Sequence, residues 1–299
     1  MHPRKWVRRS LRHLAEDLRR LGHALCPNTV RRLLYKMDFC LRINRKDLAG
    51  RSPPDRDKQF HYIQQLRTEF ARHGWPIISV DAKRKELVGN FANPGRAWRI
   101  EPEKVNAYDF IADAVCRATP YGIYEPQTNR GYVAVGTSSE TGAFAVDAIK
   151  RWWRDDGQVR YPQADRLLIL ADSGGGNGCR RRLWKRSLQA WADTSRLSIT
   201  VCHYPKRASK WNPVEHRLFS FISDNWAGQP LRSLATMLGW IRGTRNEGGL
   251  KVRACLLDRP YPGYVRVPDR EMNELNLQRH DVCPQWNYTI RPRPISPGP

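Results

Sequence analysis

Asp172 follows Leu167-Leu168-Ile169-Leu170-Ala171 and precedes Ser173-Gly174-Gly175-Gly176-Asn177-Gly178. Five apolar residues closed by a glycine cluster are too short for a lone helix and read as a strand buried on both faces. A carboxylate beside such a strand is costly unless something pairs with it. Open α/β sheets bind their ligands at strand carboxyl ends. The alternative is that Asp172 only caps the glycine turn. Asp81 ends a second strand-like run, Ile77-Ile78-Ser79-Val80. A third acid, Glu215, opens a helix in Ser209-Lys210-Trp211-Asn212-Pro213-Val214-Glu215-His216, where Asn212 is a good N-cap and Pro213 suits the first helical position. Glu215 falls three residues after that cap, which makes a capping box one reading of it. The other is chemical: the positive end of the helix dipole favours an ionised carboxylate, and an ionised carboxylate is what a divalent cation needs.

The elements that must position these acids follow from periodicity. Strands are expected at Ile77–Ala82, at Leu87–Phe91 as its antiparallel partner, at Gly131–Thr137, at Leu167–Asp172 and at Leu197–Val201. A polar, proline-containing excursion is expected from the second of these to about residue 120. Between the later strands, Ala145, Ile149, Trp152 and Trp153 mark one helix ending near Gly157, and Leu183, Leu188 and Trp191 mark another. Val214, Leu218, Phe221 and Ile222 would bury the last helix against the sheet. Three strands, helix, strand, helix, strand, helix is the ribonuclease-H order: an α/β fold with a mixed five-stranded sheet and flanking helices. In that fold the first and fourth strands lie side by side, which brings Asp81 to Asp172.

The chain carries a formal charge of +23 and a pI near 10.2, an excess that points to a polyanion such as nucleic acid, or to an anionic surface. The first 57 residues hold 15 Lys/Arg against 6 Asp/Glu. Within them Leu11, Leu14, Ala15, Leu18 and Leu21 mark a helix that stops at Gly22. Pro27-Asn28-Thr29 starts a second, with Val30, Leu33, Leu34 and Met37 inward and Arg31, Arg32 and Lys36 outward. Two short helices around a glycine turn, the second basic, fit a helix-turn-helix, and equally a helical hairpin with a solvated basic face. The charge favours DNA. Arg45 to Asp57 reads as a linker, followed by a helix carrying Phe60, Ile63, Leu66 and Phe70 that ends at His73-Gly74.

Several classes are excluded. No apolar run is long enough for a spanning helix, and the arginine-rich start has no secretory h-region. Seven scattered cysteines without a C-x-x-C pair fit reduced thiols in a cytoplasm and no structural zinc. No Lys-Ser/Thr follows Gly178, so the glycine cluster is not a P-loop.

Three long blocks, Val80-Asp81-Ala82-Lys83-Arg84-Lys85-Glu86-Leu87-Val88-Gly89-Asn90-Phe91, Leu170 to Gly178, and Cys202-His203-Tyr204-Pro205 with Ser209 to Ser220, resemble the Rhodopirellula-type DDE transposases of bacterial insertion sequences. The likeness runs from about Trp6 to Pro292. It implies that Asp81, Asp172 and Glu215 are the catalytic triad of an enzyme that cuts and rejoins DNA. Three carboxylates at one edge suit two Mg²⁺ ions, with Mn²⁺ as a substitute; Asp81 would be shared, and Asp172 and Glu215 would hold one ion each. The glycines beside Asp172 would let a phosphate backbone approach. Lys83, Arg180, Arg181, Arg182, His203 and Lys210 join Arg31, Arg32 and Lys36 as expected DNA contacts, against the alternative of ordinary surface residues. The expected organisation is a helix-turn-helix region at 1–50, linker and helix at 51–75, catalytic domain at 76–245 and C-terminal extension at 246–299. Family members carry more sequence before this chain's start, so its helix-turn-helix is expected to be the remainder of a longer region. The expected partners are transposon ends and target DNA, with a homodimer because two ends must be paired, and the expected place is the bacterial cytoplasm at the nucleoid. The competing functions are a DNA-binding remnant with a dead triad and a structure-selective nuclease that cuts without joining. A two-carboxylate glycosidase fits the charge poorly.

Overall fold

A computed structural model describes residues 9–41, 54–206 and 208–294. The chain divides into two compact units, Met1–Gly50 and Arg51–Pro299. In the first, helices α1 (Leu11–Arg20) and α2 (Pro27–Lys36) are started by Ser10, whose hydroxyl accepts from the His13 N–H, and by Pro27 at the first helical position. Ala15 and Val30 are buried. Leu21, Leu33 and Met37, expected on inner faces, are exposed instead. Two ten-residue helices meet along one seam, and side chains a turn away from it stay in water. Most of the expected linker lies outside the described residues.

The second unit opens with α3 (Arg56–Arg72). The strands are β1 (Ile77–Ala82), β2 (Glu86–Val88), β3 (Cys116–Glu125), β4 (Arg130–Gly136), β5 (Arg166–Ala171), β6 (Ser198–His203), β7 (Lys251–Leu257), β8 (Leu277–Arg279) and β9 (Asn287–Ile290). The sheet is therefore nine-stranded rather than five-stranded, in the order β7-β4-β3-β1-β5-β6-β9-β8, with β2 also pairing β3. Its centre is the ribonuclease-H arrangement: β1, β3 and β4 antiparallel, then β5 and β6 parallel to β1.

Two differences from expectation concern the first hairpin. The strand near residue 88 pairs with β3, not with β1. β3 is ten residues long and takes both along one edge: Ala82 faces Tyr121, the chain loops out through Lys83–Lys85, and Glu86 returns opposite Ala118. β3 itself falls partly in the expected polar excursion. Pro120 and Gly122 disguise it, since neither residue type favours a strand interior. Gly122 is needed there, because a Cβ would lie 2.7 Å from the Phe219 ring.

Helices cover both faces. α4 (Gly142–Trp152), which runs through a wide turn (Trp153–Gly157) into α5 (Gln158–Arg160), packs on one face with α6 (Arg182–Ser195). On the other face lie α3 and, further along, the Val214–Ile222 segment with α7 (Ser220–Asn225) and α8 (Leu234–Gly243). In β5, Leu167, Ile169 and Ala171 join the first core and Leu168 and Leu170 the core under α3. Two-sided burial, read from the unbroken apolar run, is what the strand has. The segment 246–299, expected as an extension, supplies β7, β8 and β9 of this same sheet as well as the short α9 (Asp269–Asn273).

Candidate active site

The ladder between β1 and β5 sets Val80 opposite Ala171. The next residue on each strand is an aspartate, so Asp81 and Asp172 lie side by side where the two parallel strands end. The Ala82 N–H donates to Asp81 Oδ1 at 2.8 Å and orients it. On the following strand, His203 is wholly buried; its Nδ1 lies 2.9 Å from the Asp172 carbonyl oxygen and its Nε2 3.3 Å from the Tyr288 hydroxyl. Burial pushes its pKa down to about 4. His203 was expected to contact DNA phosphates, but a neutral ring without solvent exposure braces the strand end instead.

Glu215 comes from a less regular element. A short turn, Ser209–Trp211, leads to Asn212 and Pro213, and Glu215–Phe219 then forms a π-type turn that runs into α7. The wider turn shifts the helical phase, so Phe219 enters the core where Phe221 was expected, and Phe221 is only half-buried. Asn212 is wholly buried. Its amide donates to Asp172 Oδ1 at 3.1 Å and to the Val80 carbonyl at 3.3 Å, while its own oxygen accepts from the Val214 N–H at 3.3 Å. The cap is thus also the strut that ties the Glu215 segment to both strands. Among the described residues no hydrogen bond from the Asn212 N–H reaches Glu215, so Glu215 does not complete a capping box; its carboxyl instead acts on Asp81, pushing it up.

The three acids are half-buried, and both aspartates are raised by acidic neighbours. Burial first, then the charge of Asp172 and the hydrogen bond with Glu215, push Asp81 up to about 8, against the stabilising Ala82 N–H. Burial raises Asp172 as well, with Glu215 adding to it and the Asn212 amide opposing. Among the described residues no group of three or more His, Cys, Asp or Glu side chains is arranged, as it stands, to hold a metal ion. The donor set nevertheless fits a divalent cation: three hard oxygen ligands at one edge, with like charges that a cation would relieve. Tyr121, whose buried hydroxyl feels the charge of Asp81, has no hydrogen-bond partner among the described residues.

The glycine run has divided duties. Gly175 has φ +72°, Gly176 would put a Cβ 2.9 Å from the Thr141 backbone, and Gly178 would put one 2.9 Å from the Ser173 carbonyl. These three serve the fold of the turn. Gly174 alone, exposed and with nothing within 4 Å of its missing Cβ, leaves open space of the kind that an approaching backbone uses.

The other expected DNA contacts separate. Arg31, Arg32 and Lys36 are exposed along α2, and Arg180, Arg181 and Lys210 are exposed in the second unit. Lys210 Nζ sits 4.1 Å from the centre of the Trp211 ring. Lys83 turns inward, paired with Glu86 and 5.2 Å from the Trp226 ring, so it is not the free cation expected. Arg182 is anchored to Asp269 and to the Val267 carbonyl. Asn212 and Tyr121 were missed as site residues: Asn212 was legible as a cap but not as a ligand of Asp172, and Tyr121 lay in the unrecognised β3.

No curated protein sequence matches the chain. Solved structures similar to it include the Mos1 transposase paired-end complex with left transposon end, at 15% identity and TM-score 0.48. That match covers 78% of this chain and 66% of the other. The Mos1 mariner paired end complexes with Mn and with Mg match at 15% and 14% identity, both with TM-score 0.45 and the same coverage. The chain thus spans 66% of the length of the transposase chains it resembles. The model of one family, described as the Rhodopirellula transposase DDE domain, matches residues 1–292. With that match across nearly its whole length, the chain belongs to the Rhodopirellula transposase DDE domain family.

Proposed function

We propose that the protein is a DDE transposase that cleaves DNA at the ends of an insertion sequence and transfers the freed strand to a target by transesterification. The observation that carries this reading is the convergence of Asp81, Asp172 and Glu215, from three separate elements, on one sheet edge with their charges in conflict. Asp81, which feels the charge of both other acids, would be the ligand shared by two Mg²⁺ ions, with Asp172 and Glu215 holding one each; Mn²⁺ would substitute. Two such ions supply activation of an attacking oxygen and stabilisation of the leaving oxygen of a phosphodiester. The chain's own part is to hold these oxygens ready. The Ala82 N–H fixes Asp81, the Asn212 amide fixes Asp172, and the buried His203 ring holds the backbone from which Asp172 projects. Gly174 leaves room for the substrate's backbone.

DNA contacts are assigned to Arg31, Arg32 and Lys36 on a helix-turn-helix formed by α1 and α2, and to Arg180, Arg181 and Lys210 near the acids. Their phosphate contacts would make binding strongly salt-dependent. Pairing of two ends calls for a homodimer. No helix among the described residues is long and apolar enough to cross a membrane, and the bacterial nucleoid is the proposed place of action. The test is Mg²⁺- or Mn²⁺-dependent nicking and joining on DNA carrying the element's own ends, with Asp172→Asn in parallel. Cutting and joining lost in the variant supports the reading. Binding without cutting by the wild-type protein overturns it, and cutting without joining turns it into a nuclease.

A further inference from the structure

Just past Asp172, the glycine turn forms one wall of a pocket of about 560 Å³ whose other wall is the segment from Gly263 to Val267. The volume lies in the range of about 300–1,000 Å³ typical of sites for small ligands. Its charge is lopsided. Arg180, Arg181, Arg182 and Arg266 line it against one acid, Glu140, and that acid is engaged, accepting from the Gly176 N–H at 3.2 Å. Arg182 braces the far wall through Asp269 and the Val267 carbonyl. Arg181 crosses the turn, its Nε donating to the Gly175 carbonyl at 3.1 Å. Arg180 and Arg266 are exposed and have no ion-pair or hydrogen-bond partner among the described residues. Beside them stands Tyr264, 82% exposed, an aromatic ring with almost nothing against its faces.

Free guanidinium groups next to an uncovered ring, in a concavity, ask for a ligand with both a phosphate and a planar face. A duplex offers phosphates, but its base faces are already stacked. An unpaired nucleotide offers both, and stacking on an aromatic ring needs no particular base. We propose that this pocket receives an unpaired nucleotide of a DNA strand, its base stacked on Tyr264 and its phosphate held by Arg180 and Arg266. The inference rests on the reading of the protein as an enzyme of DNA ends. It adds that the strand beside the acids is locally open, the flanking base having left the helix. Unstacking one base is unfavourable, and the ring and the two arginines offset part of that cost.

The test compares a short fluorescent oligo-dT strand with a duplex of oligo-dT and oligo-dA, bound to the full chain and followed by anisotropy. Tyr264→Ala is expected to weaken single-strand binding by about 5- to 150-fold, the span of one lost base–aromatic stack, and to leave duplex binding unchanged. Tyr264→Phe keeps the π face and is expected to keep the affinity. Arg180→Ala with Arg266→Ala should weaken the single strand and lower its salt slope by about 0.7, for the one phosphate they hold. Arg31→Ala with Arg32→Ala should weaken duplex binding and spare the single-strand preference. Unchanged single-strand affinity in Tyr264→Ala, or equal loss for both forms, overturns the proposal. Metal-dependent nicking by the same preparations separates the two readings: preference lost on Tyr264→Ala without any nicking by the wild type leaves the pocket standing and removes the transposase, and the reverse result does the opposite.

Discussion

Asp81 and Asp172 stand on neighbouring parallel strands whose ladder fixes their separation, whereas Glu215 arrives on a π-type turn tied to the sheet by Asn212. The first limb is held by many backbone hydrogen bonds and by apolar layers on both faces of β5. The second depends on one buried side chain and on the fit of Val214 and Phe219 against Gly122. A site built this way has two rigid carboxylates and one that local changes can move. It also has a cost built in, since the rigid pair cannot separate to relieve its repulsion.

The largest effects should come from the acids and should tell the limbs apart. Asp172→Asn and Glu215→Gln are both expected to bring metal-dependent nicking to background. Their stabilities should differ without metal. Asp172→Asn removes the larger electrostatic pressure on Asp81 and keeps an oxygen for the Asn212 amide, so its Tm should rise, by about 2–4 °C for each kcal/mol of repulsion relieved. Glu215→Gln should gain less. Equal melting temperatures in the two variants would show that the strand pair is not the strained one.

Next in size is Asn212→Ala. It leaves the Asp172 carboxylate without its donor and the buried Val80 carbonyl without a side-chain partner. Activity should fall about 10–100-fold, the usual cost of losing a group that orients a metal ligand, with a stability loss of about 1–3 kcal/mol. Wild-type activity in this variant would mean that Glu215 needs no strut.

A third substitution moves the flexible limb without touching any acid. Gly122→Ala places a methyl group 2.7 Å from the Phe219 ring and 3.0 Å from Val214. Overpacking of this kind costs about 1–3 kcal/mol and should displace the Glu215 turn, lowering nicking more than the fall in Tm explains. Gly174→Ala is the counterpart on the rigid limb: open space around the residue predicts an unchanged Tm, and any loss of activity then reports on substrate approach.

A last effect, read in stability rather than activity, concerns His203. Unfolded, it takes up a proton near the ordinary value of 6.5; folded, burial holds it neutral down to about 4. The unfolded state thus binds more protons across that window, and the stability it contributes, complete above 6.5, is lost as pH falls towards 4. Urea midpoints measured across that range should fall for the wild-type chain and change less for His203→Gln.

The apolar run of β5, the acid after it, the cap at Asn212 and the basic helix pair were legible because each is a local pattern a few residues long. β3 was not, because Pro120 and Gly122 hide a central strand whose reason for tolerating them is the packing of Phe219 from far along the chain. The inward turn of Lys83 and the burial of His203 were hidden for a similar cause. A sequence states that a side chain can be charged but not what will lie above it.

What the sequence determined by itself was the two strands that lead into Asp81 and Asp172, the helix opening at Asn212, and the family to which they belong. Periodicity and turn residues act over one element at a time, so they are readable without the fold. What only the tertiary structure decided was which carboxylates influence one another, and which cations stay exposed. Those outcomes depend on strand register and on neighbours brought from distant segments, as when Asn212 reaches both Val80 and Asp172. No local pattern encodes such a meeting, because the energy that selects it belongs to the packed sheet as a whole.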